Sequence, residues 1–170
     1  MTPHTFTAQD KAYYTQRALD FFDGGYACSQ AVLLAFAKDF GLDEQTAKRI
    51  SATFGGGMGR LREKCGALTG AFMVLGLAFG NSDPLDMKTK LAAYKRVRDL
   101  DATINDSLGC TNCADILKKY VKSTDDVTQR KHHQIICRRV VTETTQALYD
   151  ILAEAGEKNA GSETNSIPKP

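Results

Sequence analysis

A continuous apolar segment constrains the fold of this chain more than any other feature. Residues 65–80 read CGALTGAFMVLGLAFG and contain no charged side chain. A helix that is apolar on every face must have other helices packed around it. The apolar run from Ala67 to Phe79 is too short to span a bilayer, which takes about 20 helical residues. The segment therefore predicts a buried central helix.

The rest of the chain predicts further helices and no convincing strand. Asp43 is a predicted N-cap of a short helix, and Asp83 followed by Pro84 predicts the start of a long amphipathic one. The predicted helices outside the centre are 7–22, 28–40, 43–54, 84–105, 114–120 and 131–155, with a loop at 122–129. These elements predict an all-α, compact bundle of about six helices around the central helix 65–80. We expect one domain over residues 1–155 and a disordered polar tail over 156–170.

The long amphipathic helix carries apolar residues at helical spacing, which predicts that one face of it packs on the core. The residues of this predicted stripe are Met87, Leu91, Tyr94, Val97 and Ile104.

Composition limits the class of partner. The chain has 42% hydrophobic and 25% charged residues and a formal charge of +2, which argues against nucleic acid as a partner. The N-terminal segment has neither a basic nor an apolar stretch, so we expect a cytoplasmic protein without a membrane span. In that compartment, five cysteines favour metal binding or redox chemistry over a disulfide framework.

Three cysteines lie at predicted helix starts: Cys28, Cys65 and Cys113. The free amide groups and the dipole at a helix N-terminus stabilise negative charge, so we expect thiolates there, above all at Cys65. Cys137 shares a predicted core-facing stripe on the last helix. The four thiols could meet in one site that binds a metal or an iron–sulfur cluster. Nearby cations would offset its negative charge, and the candidates are Arg60, Arg62, Lys64 and Arg138.

Glycines surround these cysteines. The run 55–59, GGGMG, could be a backbone nest for an anion, but we favour a tight loop in which Gly56 and Gly57 pack beside the cysteine site. Gly66, Gly70, Gly76 and Gly80 would let other helices approach the central helix closely, and Gly66 and Gly70 would make room beside the cysteine site. Cys110 and Cys113 form a C-x-x-C pair, which alone is a weak signal for redox or metal chemistry.

Together these motifs resemble one family. Ala27-Cys28, the segment 54–59 (FGGGMG), Cys65-Gly66-Ala67-x-x-Gly70, Thr111-Asn112-Cys113 and a late Cys137 resemble the C_GCAxxG_C_C family of redox-active proteins, over about residues 18–152. The resemblance implies a small helical protein with four family cysteines at Cys28, Cys65, Cys113 and Cys137. Cys110 is then an extra cysteine and a possible substitute ligand. The family also resembles the non-haem part of split-Soret cytochromes, which implies an iron–sulfur centre. Haem is not implied, since the chain has no C-x-x-C-H segment.

Three hypotheses follow. The first is an electron-transfer protein in which Cys28, Cys65, Cys113 and Cys137 bind an iron–sulfur cluster of the two-iron type, with Gly56, Gly57 and Gly66 beside it. The second is a dithiol/disulfide redox protein without metal, in which Cys65 or Cys113 attacks. The third is a helical module with a structural zinc site of four cysteines.

The sequence shows no acid–base constellation, so we do not predict an enzyme activity, although the protein could be a component of an oxidoreductase. Each redox hypothesis requires a partner, which is a redox protein or an oxidoreductase. The exposed faces of the predicted helices 7–22 and 84–105 could serve a homodimer, but their apolar stripes fit core packing equally well.

Overall fold

In the computed structural model, residues 10–121 and 126–163 are described, and they form seven α-helices. No strand occurs among these residues, which confirms the all-α prediction. A 3-10 turn, Ala37–Phe40, extends the second helix, and Gly55–Met58 form one irregular turn. The helices are α1 (Asp10–Asp23), α2 (Cys28–Phe36), α3 (Glu44–Ala52), α4 (Gly66–Phe79), α5 (Met87–Leu108), α6 (Cys113–Tyr120) and α7 (Asp126–Glu163).

The predicted central helix is α4. It contacts α2, α5 and α7, and its residues 66–71, 74 and 75 are buried. Ala67, Leu68 and Ala71 have no exposed surface. Near its C-terminal end the helix reaches the surface, where Leu77 is 42% exposed. The all-apolar pattern therefore predicts burial correctly for the half of the helix that begins at the cysteine.

A second set of contacts joins α1, α2 and α7. Tyr14 of α1 stacks on Phe36 of α2 with ring centroids 4.5 Å apart, and Tyr149 of α7 lies 5.7 Å from Tyr14. All three rings are almost fully buried. Large buried rings dominate core energetics, so this cluster anchors both ends of the chain onto α2.

Helix starts follow the predicted capping chemistry in one case and depart from it in another. The Asp43 carboxylate accepts hydrogen bonds from the amides of Gln45 and Thr46, as an N-cap does. The prediction for Asp83 is wrong, because the carboxylate that caps α5 belongs to Asp86. Asp83 instead accepts a hydrogen bond from the Leu85 amide in the preceding turn.

The predicted core-facing stripe of α5 is largely wrong. Met87, Leu91 and Tyr94 are each at least half exposed. The buried residues are Ala93, Leu100, Ile104 and Leu108, whose spacing of seven and four keeps them on one face of a helix. At about 100° per residue, the three exposed residues fall 100° or more away from Ala93.

The last helix is longer than predicted. It begins at Asp126, inside the predicted loop, and continues past Gly156, where the sequence predicted its end. Residues 122–125 and 164–170 lie outside the described residues. None of the described helices combines the length and apolar character needed to cross a bilayer.

Candidate functional site

Four cysteines from four helices line one open cleft with a volume of about 790 Å³. Cys28 is the first residue of α2, Cys65 is the N-cap of α4, and Cys113 is the first residue of α6. Cys137 reaches the cleft from α7. All four are free thiols; Cys65 and Cys113 are buried, and Cys28 and Cys137 are half-buried. The structure therefore brings together the cysteines that the sequence singled out, while their role as ligands stays a prediction.

Backbone hydrogen bonds join the segments that carry Cys65 and Cys113. The Cys65 amide donates to the Thr111 carbonyl at 3.0 Å, and the Cys113 amide donates to the Glu63 carbonyl at 2.7 Å. The Lys64 ammonium group adds hydrogen bonds to the Asp101 carboxylate at 2.9 Å and to the Thr111 hydroxyl at 2.6 Å. These contacts fix the separation of the two buried thiols.

Small residues allow α2 and α4 to approach closely beside Cys28. A Cβ atom added at Gly66 would lie 3.4 Å from the Cys28 Cβ and 3.3 Å from the Ser29 amide nitrogen. At Gly70 it would lie 2.4 Å from the Ser29 carbonyl oxygen. The buried Ser29 hydroxyl donates to the Ser51 carbonyl at 2.7 Å, which ties α2 to α3 at the same level. The prediction that glycines of α4 make room for another helix is confirmed for Gly66 and Gly70. It is wrong for Gly76, where nothing lies within 4 Å of an added Cβ atom, and for Gly80, where the near atoms belong to Gly76 of the same helix.

The turn after α3 forms a wall of the cleft. Gly56, Gly57 and Gly59 all have φ between 64° and 71°, in the left-handed region that glycine tolerates. A Cβ atom at Gly57 would lie 2.5 Å from the Cys113 Cβ and 3.0 Å from the Arg62 backbone. The turn therefore packs tightly beside a cysteine, in agreement with the favoured interpretation of the glycine run.

The four predicted cations differ in their surroundings. The Arg62 guanidinium Nη1 lies 3.7 Å from the Cys113 sulfur, and Arg60 also lines the cleft. Lys64 instead pairs with Asp101, and Arg138 pairs with Asp23 at 3.1 Å. Positive charge at the cleft therefore comes chiefly from the two arginines that follow the glycine run.

Two thiols of the cleft, Cys28 and Cys137, shift each other's pKa. Cys28 donates a hydrogen bond to the Cys137 sulfur, and this bond, together with burial, raises the pKa of Cys28 well above its usual value. The same hydrogen bond lowers the pKa of Cys137, and the charge of Arg62 lowers it further. Cys137 is therefore the favoured position for a thiolate in this pair.

The predicted thiolate at Cys65 is wrong for the metal-free fold. Burial raises the pKa of Cys65 to about 12, although the amides of Ala67 and Leu68 donate hydrogen bonds that act in the opposite direction. The loss of water around the sulfur outweighs the helix N-terminus.

The metal-binding geometry and the position of Cys110 are two further features of the site. Among the described residues, no three His, Cys, Asp or Glu side chains are grouped so that they could hold one metal ion. Cys110 does not line the cleft, and its sulfur lies 3.9 Å from the Leu108 carbonyl oxygen. The C-x-x-C spacing thus places only Cys113 at the cleft.

The sequence analysis missed three residues that line the cleft, Phe22, Ala52 and Gln134. Gln134 precedes Cys137 by three residues, so both lie on one face of α7. That spacing could have identified it once Cys137 was placed in a site.

Comparison with known proteins gives a family but no individual relative. Neither curated proteins nor solved structures give a significant match. A family model with the description "Putative redox-active protein (C_GCAxxG_C_C)" matches residues 26–151, a segment that contains all four cysteines of the cleft. The chain therefore belongs to the C_GCAxxG_C_C family of putative redox-active proteins.

Proposed function

We propose that this protein transfers electrons through an iron–sulfur cluster, of the two-iron type, held by Cys28, Cys65, Cys113 and Cys137. The observation that carries the proposal is that these four thiols, from four different helices, line one cleft. Four thiolates are the usual ligand set of such clusters. When bound, the cluster would supply one-electron transfer to a redox partner protein.

The donor set fits a cluster better than a single ion. Four sulfurs around one zinc ion must each lie about 2.3 Å from it. The described residues offer no group of three ligands for one ion. In a two-iron cluster the four thiolates are divided between two irons, so they need not converge on one point. Arg62 beside Cys113 would offset part of the negative charge of such a centre.

Anaerobic reconstitution with ferrous iron and sulfide tests the proposal. We expect a coloured protein with iron and sulfide in equal amounts, and a loss of both when any of the four cysteines is changed to serine. Cys110→Ser is the matched control and should keep the full iron content, because Cys110 does not line the cleft. A colourless, iron-free product would refute the proposal. Zinc analysis of the isolated protein tests the hypothesis of a structural zinc site.

One observation favours a second function, that of a dithiol redox protein. Cys28 and Cys137 line the same cleft, and a hydrogen bond between them raises the pKa of Cys28 and lowers that of Cys137. Oxidation of this pair would form one disulfide and release two protons and two electrons. A disulfide of a partner protein would accept them and become two thiols.

Thiol titration of metal-free protein tests this second function. Treatment with an oxidised dithiol protein should remove two free thiols from the wild type and from Cys110→Ser, and none from Cys137→Ser. An unchanged thiol count in the wild type would exclude the dithiol function.

A further inference from the structure

We propose that the open side of the cysteine cleft is a binding site for a small organic anion, which Arg60 and Arg62 hold by its acidic group. This site shares the cleft and Arg62 with the proposed cluster. Ligand binding and iron content are measured separately, so the two proposals can fail independently.

The pairing of cations distinguishes these two arginines from their neighbours. Near the cleft, Lys64 pairs with Asp101 at 2.9 Å, and Arg138 pairs with Asp23 at 3.1 Å. Within the described part of the chain, neither Arg60 nor Arg62 has a carboxylate partner. The cleft thus presents two guanidinium groups that have no carboxylate partner among the described residues, and one of them, Arg62, contacts the Cys113 sulfur.

The backbone holds these arginines at an energetic cost. Arg60 and Arg62 both have φ of 67°, a left-handed conformation that costs a non-glycine residue about 1–2 kcal/mol. Hydrogen bonds fix it: the Arg60 amide donates to the Gly55 carbonyl, and the Arg62 carbonyl accepts from the Ala114 amide at 3.0 Å. Glycine would occupy the same positions without strain. A chain that places arginine there keeps two charges at the cleft in spite of the strain.

Space for the Arg60 side chain depends on Gly56. A Cβ atom at Gly56 would lie 3.0 Å from the Arg60 Cγ and 4.0 Å from the Arg62 Nη1. The two guanidinium-bearing side chains therefore pass over the same glycine and belong to one site.

Size and lining indicate an organic ligand. A volume of about 790 Å³ lies in the range of small-molecule sites, about 300–1,000 Å³. Besides the thiols and arginines, the cleft is lined by Phe22, Ala27 and Ala52, which offer apolar surface. Guanidinium groups bind carboxylate and phosphate through paired hydrogen bonds. A ligand with an apolar body and one carboxylate or phosphate group would match both the apolar surface and the two arginines of the cleft.

Isothermal titration calorimetry with three probes tests the site in reduced protein, both as isolated and after metal removal. Phenyl phosphate carries both an acidic group and an apolar ring. Inorganic phosphate carries the acidic group without the ring, and benzyl alcohol carries the ring without the acidic group. We expect phenyl phosphate to bind saturably and more tightly than the other two. Arg60→Gln and Arg62→Gln should each weaken its binding about ten- to hundredfold, the range for loss of a hydrogen bond to a charged group.

Arg49→Gln is the matched control, because Arg49 is exposed on α3 and does not line the cleft. It removes the same charge and should leave the affinity unchanged. The proposal would be overturned if phenyl phosphate showed no saturable binding, or if inorganic phosphate bound as tightly. It would also be overturned if Arg49→Gln lost as much affinity for phenyl phosphate as the cleft variants, or if neither cleft variant lost any. Arg60 is exposed, so Arg60→Gln remains informative if Arg62→Gln fails to fold. Iron content after reconstitution, measured on Arg60→Gln, reports the cluster separately.

Discussion

Two glycines of α4 should respond to alanine in opposite directions. A Cβ atom at Gly70 would lie 2.4 Å from the Ser29 carbonyl oxygen and 3.1 Å from two further backbone atoms of Ser29. At Gly76, in the same helix, nothing lies within 4 Å of the added atom. Because both sites are helical, the gain in helix propensity is common to both variants, and their difference isolates the contact between α2 and α4.

The magnitudes follow from two terms. Replacing glycine by alanine within a helix stabilises it by about 1 kcal/mol. Gly76→Ala should therefore raise the free energy of unfolding by about 1 kcal/mol and Tm by about 2–4 °C. At Gly70 the clashing atoms belong to the backbone of α2 and cannot rotate away, so the overpacking cost should reach about 3 kcal/mol or more. The net loss at Gly70 is then about 2 kcal/mol, or about 4–8 °C.

The assay is guanidinium unfolding of reduced, metal-free protein, followed by circular dichroism at 222 nm and repeated as a thermal melt. The two variants differ from the wild type by one methyl group each, so a change in slope is not expected and the midpoint reports stability. If Gly70→Ala stabilised the protein as Gly76→Ala does, α2 and α4 could not be packed as described beside Cys28.

Two further predictions concern the cleft and the tyrosine cluster. Gly57→Ala should destabilise the protein more than Gly59→Ala and lower the amount of iron bound on reconstitution. Both glycines have left-handed φ, so the backbone strain is common to the two variants. A Cβ atom at Gly57 would lie 2.5 Å from the Cys113 Cβ, whereas at Gly59 the nearest atom is 3.6 Å away. Equal iron content in the two variants would contradict this. Burial raises the pKa of Tyr149 to about 12, so the folded state retains a proton that an unfolded tyrosine loses near pH 10. The free energy of unfolding should therefore fall as pH rises from about 10 to 12, and it should fall less steeply in Tyr149→Phe. Urea unfolding at several pH values measures this, and parallel pH profiles for the wild type and Tyr149→Phe would refute the prediction.

The sequence predicted the centre of the fold well for the first half of α4, because the apolar run there has no polar face to turn to water. An uninterrupted apolar run has no polar face to expose, whatever surrounds it. The cysteines were placed at helix starts because the adjoining stop signals, such as Gly24-Gly25 before Cys28, are local. Features that depend on a few consecutive residues were therefore accessible from the sequence.

Features that depend on contacts between distant segments could not be predicted from the sequence. The stripe of α5 was mistaken because Met87, Leu91 and Tyr94 are as apolar as the residues that pack on the core, and only the positions of neighbouring helices select the face. The pairing of Lys64 with Asp101, 37 residues away, likewise cannot be read from local spacing. That pairing decides which cations remain for the cleft.

The protonation of the cysteines shows how tertiary structure reverses a local rule. A helix N-terminus favours a thiolate, and Cys65 receives amide hydrogen bonds from Ala67 and Leu68. Burial nevertheless raises its pKa to about 12, since a charged sulfur there would lose its water. At Cys137, in contrast, a hydrogen bond with Cys28 and the charge of Arg62 lower the pKa.

Within the pair of Cys28 and Cys137, the thiolate is favoured at Cys137, because the hydrogen bond with Cys28 and the charge of Arg62 lower its pKa. Only thiolates are metal ligands, so binding of the proposed cluster would require removal of the thiol protons. Burial disfavours ionisation of Cys65 in the metal-free fold, so its ligation in the proposed cluster would depend on the positive charge of the bound iron.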